Sequence, residues 1–403
     1  MSLDLTTFAS ALKAHYTNDK VENMVYMDNP FMAMLPKMEN FGGKNLPIPI
    51  IYGNPQGRSA NFVKAQQNKT NSQLKDFVLT RAKDYSLASI DNETIEASKG
   101  DANAFMEAAT TEIDGAINSA ARSLAIALYG TGSGSIGQVD NAQTLTATVI
   151  QLEKVEAVTN FEVGQKLVVS STDGGGTVRA GSLTVTGVDR DLGQVTVNAA
   201  LNTAIPAIAA SDFIFIDGDY DQKVKGLAAW LPATSPSPSD SFFSVNRSSD
   251  ATRLAGIRFD ASALSIEEGL IKASSRVARE GGRPSHAFMS YSRYAQLEVE
   301  LGSKVRYTDL KVTNFIGFRG IQINGAKGII TVIADQNCPE DVCYMLQMDS
   351  WKLYSLGKCP KILDTDGLKM LRDSNADSVE IRVGYYCQLG SKSPGYNCRI
   401  KLA

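Results

Sequence analysis

The sequence predicts an α+β fold with distinct helical and strand-rich segments. Three observations support this class. Residues 44–80 carry a hairpin with two closely spaced prolines, Ala102–Tyr129 form one long helical segment, and residues 144–216 hold short strands rich in valine, threonine and glycine. The rest of the chain mixes further helices and strands. With 403 residues, the chain is long enough for two or three domains with substantial cores.

Composition and charge are those of an ordinary globular protein. Hydrophobic residues make up 43% and charged residues 21% of the chain, and the formal net charge is -3. So small a charge implies no overall attraction to nucleic acid or to an anionic membrane. No apolar run approaches the ~20 residues that span a bilayer, and the first residues lack the basic and apolar segments of a signal peptide. We therefore expect neither membrane insertion nor export by the ordinary route.

The five cysteines all lie in the last quarter of the chain. Their odd number and the lack of a secretion signal favour reduced thiols over disulfides. No two have Cys-x-x-Cys spacing, and His286 is distant in sequence, so no zinc site is expected. We predict buried thiols that serve only packing.

Residues 1–40 are predicted to form an arm. Asp4–His15 has the apolar spacing of a short helix, and Asn29–Pro36 is a second apolar segment bounded by prolines. Such segments favour docking on a surface. The sequence leaves open whether that surface belongs to the same chain or to a neighbour.

The hairpin that follows has one edge that cannot be extended. Pro47 and Pro49 are two residues apart, so both missing N–H donors fall on the same edge of the strand. The opposite edge keeps its donors, and its partner strand is either Asp76–Thr80 or Ala82–Ala88. A two-stranded ribbon is marginal alone in water and has to rest on something else.

Two interpretations of this ribbon stay open on sequence grounds. It is either an ordinary hairpin packed on its own domain or a projecting element that contacts another copy of the chain. The basic residues along it would form ion pairs with a neighbour's acidic helix face or simply be solvated. The residues expected at a contact between copies are Pro47, Pro49, Tyr52, Arg58, Lys64 and Lys69.

The long helix is predicted to be a rod of roughly 40 Å. Asp101 can cap its start, and Gly130 is placed to end it. Its narrow apolar stripe needs a partner layer to pack against. The packing residues on this stripe include Phe105, Ile113, Ile117, Leu124 and Leu128.

After the helix, Gly130–Gly137 is predicted to be a flexible joint. The short strands beyond it indicate a small inserted β-barrel or sandwich. Helices are then predicted over residues 262–280 and 290–301, and the strand Ser378–Gly384 alternates cleanly between apolar and polar residues.

Few residues are suited to catalysis or to binding a cofactor. The chain has two histidines, His15 and His286, and no Gly-x-Ser-x-Gly elbow. Gly132–Gly137 matches a dinucleotide fingerprint by letter but follows a helix, which is the wrong context. Asp217–Asp221 lacks the glycine and glutamate of a calcium loop. We expect no enzyme, no cofactor and no metal; a carboxylate-dependent hydrolase is the remaining catalytic alternative.

The order of these parts resembles the major capsid proteins (major head proteins) of tailed double-stranded DNA bacteriophages, whose fold is shared by encapsulins. The likeness covers most of the chain outside residues 144–216. It rests on the segments Asn29–Pro36, Phe41–Ile50, Gly53–Ser59, Ser123–Tyr129 and Asp377–Val383.

This resemblance implies a division of the chain into seven parts. They are an N-terminal arm (1–40), an extended β-hairpin loop (41–80), a peripheral domain with the spine helix (81–139), an inserted β-rich domain, expected to be a small β-barrel (140–218), a second part of the peripheral domain (219–283), an axial domain (284–368) and closing strands of the peripheral domain (369–403).

The resemblance also implies a structural role. Self-assembly into pentamers and hexamers would form an icosahedral shell around packaged double-stranded DNA; the alternative is an encapsulin-like nanocompartment that encloses a cargo enzyme. The implied partners are many copies of the chain, a separate scaffolding protein, a portal, decoration proteins, and DNA on the inner face, with no membrane. The implied location is the virion, after assembly in the host cytoplasm.

Overall fold

The computed structural model describes residues 25–26, 28–91, 102–311, 317–364, 371–372 and 376–403, with the backbone alone in residues 102–109. The predicted helix at Asp4–His15 and the cap at Asp101 lie outside these residues. The chain divides into two compact units. The first comprises the residues up to Ala125 together with Trp230–Ala403, and the second comprises Ile126–Ala229.

The first unit begins with short elements, then a ribbon and the long helix. These elements are α1 (Pro30–Met34), β1 (Lys37–Met38), β2 (Asn45–Gly53), α2 (Phe62–Gln67), β3 (Gln73–Thr80), β4 (Ala82–Asp91) and α3 (Ala102–Tyr129), whose last residues enter the second unit. The remaining elements of this unit are β11 (Ile257–Asp260), α6 (Ile266–Arg279), β12 (His286–Met289), α7 (Tyr291–Leu301), β13 (Tyr307–Lys311), β14 (Gly317–Gly325), β15 (Gly328–Ala334), β16 (Val342–Leu346), β17 (Trp351–Ser355), β18 (Lys361–Ile362), β19 (Leu371–Arg372), β20 (Ser378–Ser391) and β21 (Cys398–Lys401).

The strand β20 is the centre of the first sheet. Along one edge it pairs antiparallel with the whole of β4, from Ser378 opposite Asp91 to Cys387 opposite Ala82. Its other edge pairs in turn with β19, β18 and β17, and β1 extends the sheet beyond β17. The sequence predicted only its first half. Beyond Gly384 nearly every residue is buried, so the alternation that marks a strand with one exposed face ends there.

A seven-stranded sheet forms a second layer, in the order β11-β21-β16-β12-β15-β14-β13. Helices α6 and α7 share one hydrophobic core with it, in which Leu270 and Leu297 pack with strand residues such as Met289. Phe288, the residue before Met289, instead contacts Phe31 of α1, with ring centroids 5.2 Å apart. The segment at Asn29–Pro36 therefore docks on its own unit, which answers the question that the sequence left open.

Helix α6 begins later than predicted. Ser265 accepts a hydrogen bond from the Glu268 N–H and caps a helix that starts at Ile266, because Asp260 already binds the backbone and the hydroxyl of Ser262. Ser290 caps α7 in the same way, through the Arg293 N–H.

The long helix α3 has the predicted bounds, Ala102–Tyr129. Ile113, Ile117, Leu124 and Leu128 are all buried. The side chain of Phe105 lies outside those that the structure describes. Alanines on both sides of the stripe are also buried, so the buried face is wider than the narrow stripe predicted. Because alanine side chains are small, neighbouring elements can pack closely against the helix over this wider face.

The second unit is a six-stranded sheet around its own core. Its elements are β5 (Ser135–Gln138), β6 (Val149–Gln151), β7 (Lys166–Ser170), β8 (Leu183–Asp189), β9 (Gln194–Val197), α4 (Leu201–Ala204) and β10 (Phe213–Ile216), followed by α5 (Leu227–Trp230), whose last residue belongs to the first unit. The order is β5-β10-β7-β8-β9-β6, and an isolated bridge between Val139 and Leu152 joins the two ends. A barrel stays the expectation for this unit, and this bridge supports it.

The predicted flexible joint at Gly130–Gly137 is wrong. Ser135–Gln138 form β5 and pair with β10. Gly134 has φ +87°, and a Cβ there would lie 2.5 Å from the carbonyl oxygen of Asp219. The glycine is required by close packing in this part of the unit rather than by flexibility.

Candidate functional site

The candidate site is the ribbon formed by β2, β3 and the residues between them. The strands pair antiparallel from Asn45 opposite Thr80 to Gly53 opposite Gln73. Of the two predicted partners, the first is confirmed and the second is wrong, because Ala82–Asp91 pairs with β20 instead. We call Asn45–Ile50 with Phe77–Thr80 the ribbon base, and Ile51–Asp76 the ribbon tip.

The ribbon base is anchored on its own unit by one apolar face. Ile48, Phe77 and Leu79 are buried, and the Phe77 ring lies 5.1 Å from that of Trp230. Gly390 of β20 leaves room for Ile48 and Leu79, since a Cβ at this position would come within 2.9 Å of Ile48 Cδ1 and Leu79 Cδ1. The base is therefore held rigidly and determines where the tip begins.

Both edges of the ribbon base are closed to further strands. Pro47 and Pro49 are exposed and face Val78 and Asp76 in the ladder. They have no N–H to donate on the outer edge of β2. On the outer edge of β3 the Val78 N–H donates to the carbonyl of Phe243, at 3.0 Å. The base therefore cannot recruit another strand by edge pairing.

The ribbon tip, in contrast, is held together by local polar contacts. Asn61 caps the short helix α2 by accepting a hydrogen bond from the Lys64 N–H. The two limbs are linked where the Thr70 N–H donates to the Gln56 carbonyl and the Gln56 N–H donates to the Thr70 hydroxyl. No residue from Ile51 to Asp76 is buried. The tip has a defined shape without a core of its own.

The surface of the ribbon tip is apolar and cationic. Phe62 is 75% exposed and Ile51 63% exposed, and Val63 and Leu74 are more than half exposed. The tip contains four cations and one carboxylate, Asp76, at its last position. Exposed apolar side chains grouped on one projecting element are typical of a contact surface for another macromolecule.

The predicted contact residues divide between base and tip. Arg58, Lys64 and Lys69 are exposed on the tip and form no ion pair with a described residue. Tyr52 is half-buried where the tip begins. Its hydroxyl donates to Gln73 Oε1 at 3.5 Å, and its carbonyl accepts from Arg253 Nη1 at 2.6 Å.

Arg81 is one of the basic residues along the predicted hairpin, for which ion pairs with a neighbour or solvation were expected, but it is bound within its own unit. Its guanidinium donates to the carbonyl of Phe41 and lies 5.0 Å from the centre of that ring. The Arg81 side chain is therefore neither simply solvated nor left to pair with a neighbouring copy, because Phe41 of its own unit binds it.

Sequence reasoning missed the apolar residues of the tip. Phe62 and Val63 lie at the start of α2, in a part of the hairpin for which the sequence analysis predicts no helix. Asn61, an N-cap residue followed by residues that favour a helix, is the signal that could have found this helix.

A polar network attaches the long helix to the first sheet. Ser123 of α3 and Tyr385 of β20 both donate to Asp84 Oδ2 of β4, at 2.5 and 3.1 Å. Burial raises the pKa of the Tyr385 hydroxyl, and the charge of Asp84 adds to this effect. Tyr385 therefore stays protonated as a donor, and the network fixes the helix on the strands that follow the ribbon.

His286 and the acidic segment Asp217–Asp221, the other candidates for catalysis or metal binding, form interactions unrelated to the ribbon. His286 is half-buried at the start of β12, 2.9 Å from the Ser285 hydroxyl, and burial lowers its pKa. Asp217 forms an ion pair with Lys166, and Asp219 forms one with Lys223.

Metal-binding clusters and membrane-spanning helices are both absent from the described residues. They contain no group of three or more His, Cys, Asp or Glu side chains placed to hold a metal. No helix among them is long and apolar enough to cross a membrane.

No protein-family model and no curated protein matches this sequence. Among solved structures, a chain of the Cyanophage A-1(L) capsid asymmetric unit is similar over 93% of this chain and 92% of that chain, with a TM-score of 0.51 and 12% identity. The capsid of an empty GTA particle covers 93% and 90%, with a TM-score of 0.47 and 8% identity. The SrpI encapsulin complex from Synechococcus elongatus PCC 7942 covers 97% and 94%, with a TM-score of 0.44 and 8% identity.

The cyanophage structure establishes the fold. This chain has the fold of that capsid chain over nearly its whole length, which confirms the predicted α+β class of phage-capsid type.

Proposed function

We propose that this chain is a major capsid protein, a structural subunit of which many copies assemble into pentamers and hexamers of an icosahedral shell around double-stranded DNA. The observation that carries the proposal is the ribbon. In a chain with the fold of a phage capsid subunit, its base is anchored and its tip leaves large apolar side chains uncovered.

An anchored base and an exposed tip suit contact with a neighbouring copy. Because the base is fixed by Phe77 and its neighbours, little conformational freedom is lost when the tip binds. Closed edges at the base direct association to the side chains of the tip and away from open-ended strand pairing. A tip of one copy that binds a different surface of the next makes a head-to-tail contact, and such contacts close into rings.

Rings of this kind tolerate modest individual contacts. Each subunit in a ring is held by two neighbours, so the second contact forms at a high effective concentration. The cations Arg58, Lys64 and Lys69 would lie at the rim of each contact, opposite carboxylates of the adjacent copy, where they favour the correct register more than they add affinity.

We extend the proposal to the remaining parts of the chain and to its partners. We assign residues 41–80 to the extended loop, 81–139, 219–283 and 369–403 to the peripheral domain, 284–368 to the axial domain, and 140–218 to an inserted domain. A separate scaffolding protein, a portal, decoration proteins and DNA on the inner face would be its partners in the virion. This role is structural and needs no catalytic residue.

Removing most of the tip, including Phe62 and Val63, while keeping the base tests this function. Gly53 opposite Gln73 is the last pair of the ladder, so Asn54–Ser72 can be replaced by the dipeptide Asn-Gly, which favours a two-residue hairpin turn. We expect a folded chain with an unchanged far-ultraviolet circular dichroism spectrum that forms no shells by negative-stain microscopy, under conditions in which the full chain does. Normal shells from the shortened chain would contradict the proposal.

The content of the particles separates the two kinds of shell. Particles purified from the native source should contain double-stranded DNA, detected by nuclease-resistant absorbance at 260 nm. Particles that contain a protein cargo and no DNA would favour the nanocompartment.

A further inference from the structure

A small cationic cavity lies in the first unit, beside the C-terminal end of α6. Its volume is about 80 Å³, which is room for one tetrahedral oxyanion and a few water molecules. Strand β11, the segment before it and α6 supply its walls. The lining residues are Thr252, Ile257, Arg258, Arg276, Arg279 and Glu280.

The charges around this cavity are not balanced. Three arginines line it, and Glu280 is the single acidic residue of the lining, with its carboxylate 3.8 Å from Arg279 Nε. Arg258 donates only to backbone carbonyls, those of Ala251 at 2.8 Å and Ala255 at 3.4 Å. Arg276 takes part in no hydrogen bond or ion pair with any residue that the structure describes.

Bringing these cations together is unfavourable without an anion. Burial lowers the pKa of Arg258, and the charges of Arg247 and Arg276 lower it further. Arg247 is already matched, because it forms a two-point ion pair with Asp240 at 2.8 and 3.0 Å. The excess positive charge therefore lies with Arg258 and Arg276.

We propose that this cavity binds a phosphate-type oxyanion, held by Arg258, Arg276 and Arg279. Guanidinium groups present planar forks of N–H donors that match the oxygens of phosphate. Thr252 also lines the cavity. Since Arg279 is largely exposed, the cavity is open to solvent, so the oxyanion can be free inorganic phosphate or a phosphodiester of DNA. This inference goes beyond shell formation and does not depend on it.

The test uses the full, unassembled chain and isothermal titration at constant ionic strength, with inorganic phosphate in one arm and a short DNA duplex in the other. Arg276→Gln removes an exposed cation of the cavity. Lys272→Gln is the matched control, because Lys272 lies one turn earlier on α6, is paired with Glu268 at 2.6 Å and is absent from the lining.

We expect Arg276→Gln to weaken phosphate binding at least tenfold, and Lys272→Gln to change it less than twofold. Arg279→Gln should act in the same direction as Arg276→Gln. If Arg276→Gln also weakens binding of the duplex and the control Lys272→Gln does not, a phosphodiester is a ligand. If Arg276→Gln weakens binding of phosphate but not of the duplex, the ligand is the free anion. Absence of saturable binding in both arms, or equal losses in the cavity and control variants, would overturn the proposal.

Discussion

Replacing Phe62 with serine should impair assembly without affecting folding. Phe62 is 75% exposed on the ribbon tip, so the isolated chain loses little when this side chain is removed, and its free energy of unfolding should change by less than about 0.5 kcal/mol. If a neighbouring copy covers the ring, the same change removes a large apolar contact from every subunit interface.

The size of this effect can be worked out from the exposed area. A phenylalanine buries roughly 200 Å², so covering the exposed part would remove about 150 Å² from water, worth at most about 3–4 kcal/mol at about 25 cal/mol per Å². Ordering of the contact offsets part of this gain, so we expect about 2 kcal/mol per contact, or roughly a 30-fold weaker association.

The assay compares two properties of each variant. Urea unfolding of the unassembled chain reports folding, and light scattering against protein concentration reports the threshold for assembly. Phe77→Ala is the control, because Phe77 is fully buried in the base and its loss should cost about 3–5 kcal/mol of folding stability. Should Phe62→Ser assemble at the wild-type threshold, the tip does not cover a neighbour through this residue.

Three further predictions concern the ribbon edge, the second unit and the thiols. Replacing both Pro47 and Pro49 with valine restores two outward N–H donors, so the unassembled chain should self-associate in sedimentation velocity at concentrations where wild type does not; a monodisperse variant would contradict the role given to the prolines. Arg179→Ala leaves the buried Asp212 without the partner that holds both its oxygens, at 2.6 and 2.8 Å, and should destabilise the second unit in chemical denaturation by about 3 kcal/mol; an unchanged midpoint would count against this. All five cysteines are buried and burial raises the pKa of Cys398 to about 12, so Ellman's reagent at pH 8 should react rapidly with five thiols only after denaturation; rapid reaction in the native protein would show that these thiols are accessible.

Features that depend only on residues close together in the sequence could be predicted. The bounds of α3 follow from its apolar spacing and from Gly130, and the closed edge of the ribbon follows from Pro47 and Pro49 alone. In the second unit, β7, β8, β9 and β10 follow from short apolar runs bounded by glycine or aspartate turns, whereas β6 was not predicted and β5 lies where the sequence predicts a flexible joint.

Features that depend on tertiary contacts could not be predicted. The second half of β20 is covered on both faces and has no alternation. The sequence does not show why residue 390 is glycine, because the reason is its close contact with the distant residues Ile48 and Leu79. The docking of α1 on Phe288 depends on a surface built from distant segments. For the candidate site, sequence predicted the ribbon and its cations but missed Phe62, since six residues of helix are too few to show a period.

A cryo-electron microscopy map of the assembled protein tests the central claim most directly. We predict that residues 51–76 lie across an adjacent subunit, with the Phe62 ring covered by that subunit and the ribbon base still packed on Trp230. A map in which the tip faces solvent throughout, or lies against its own chain in a molecule that does not assemble, would contradict the account.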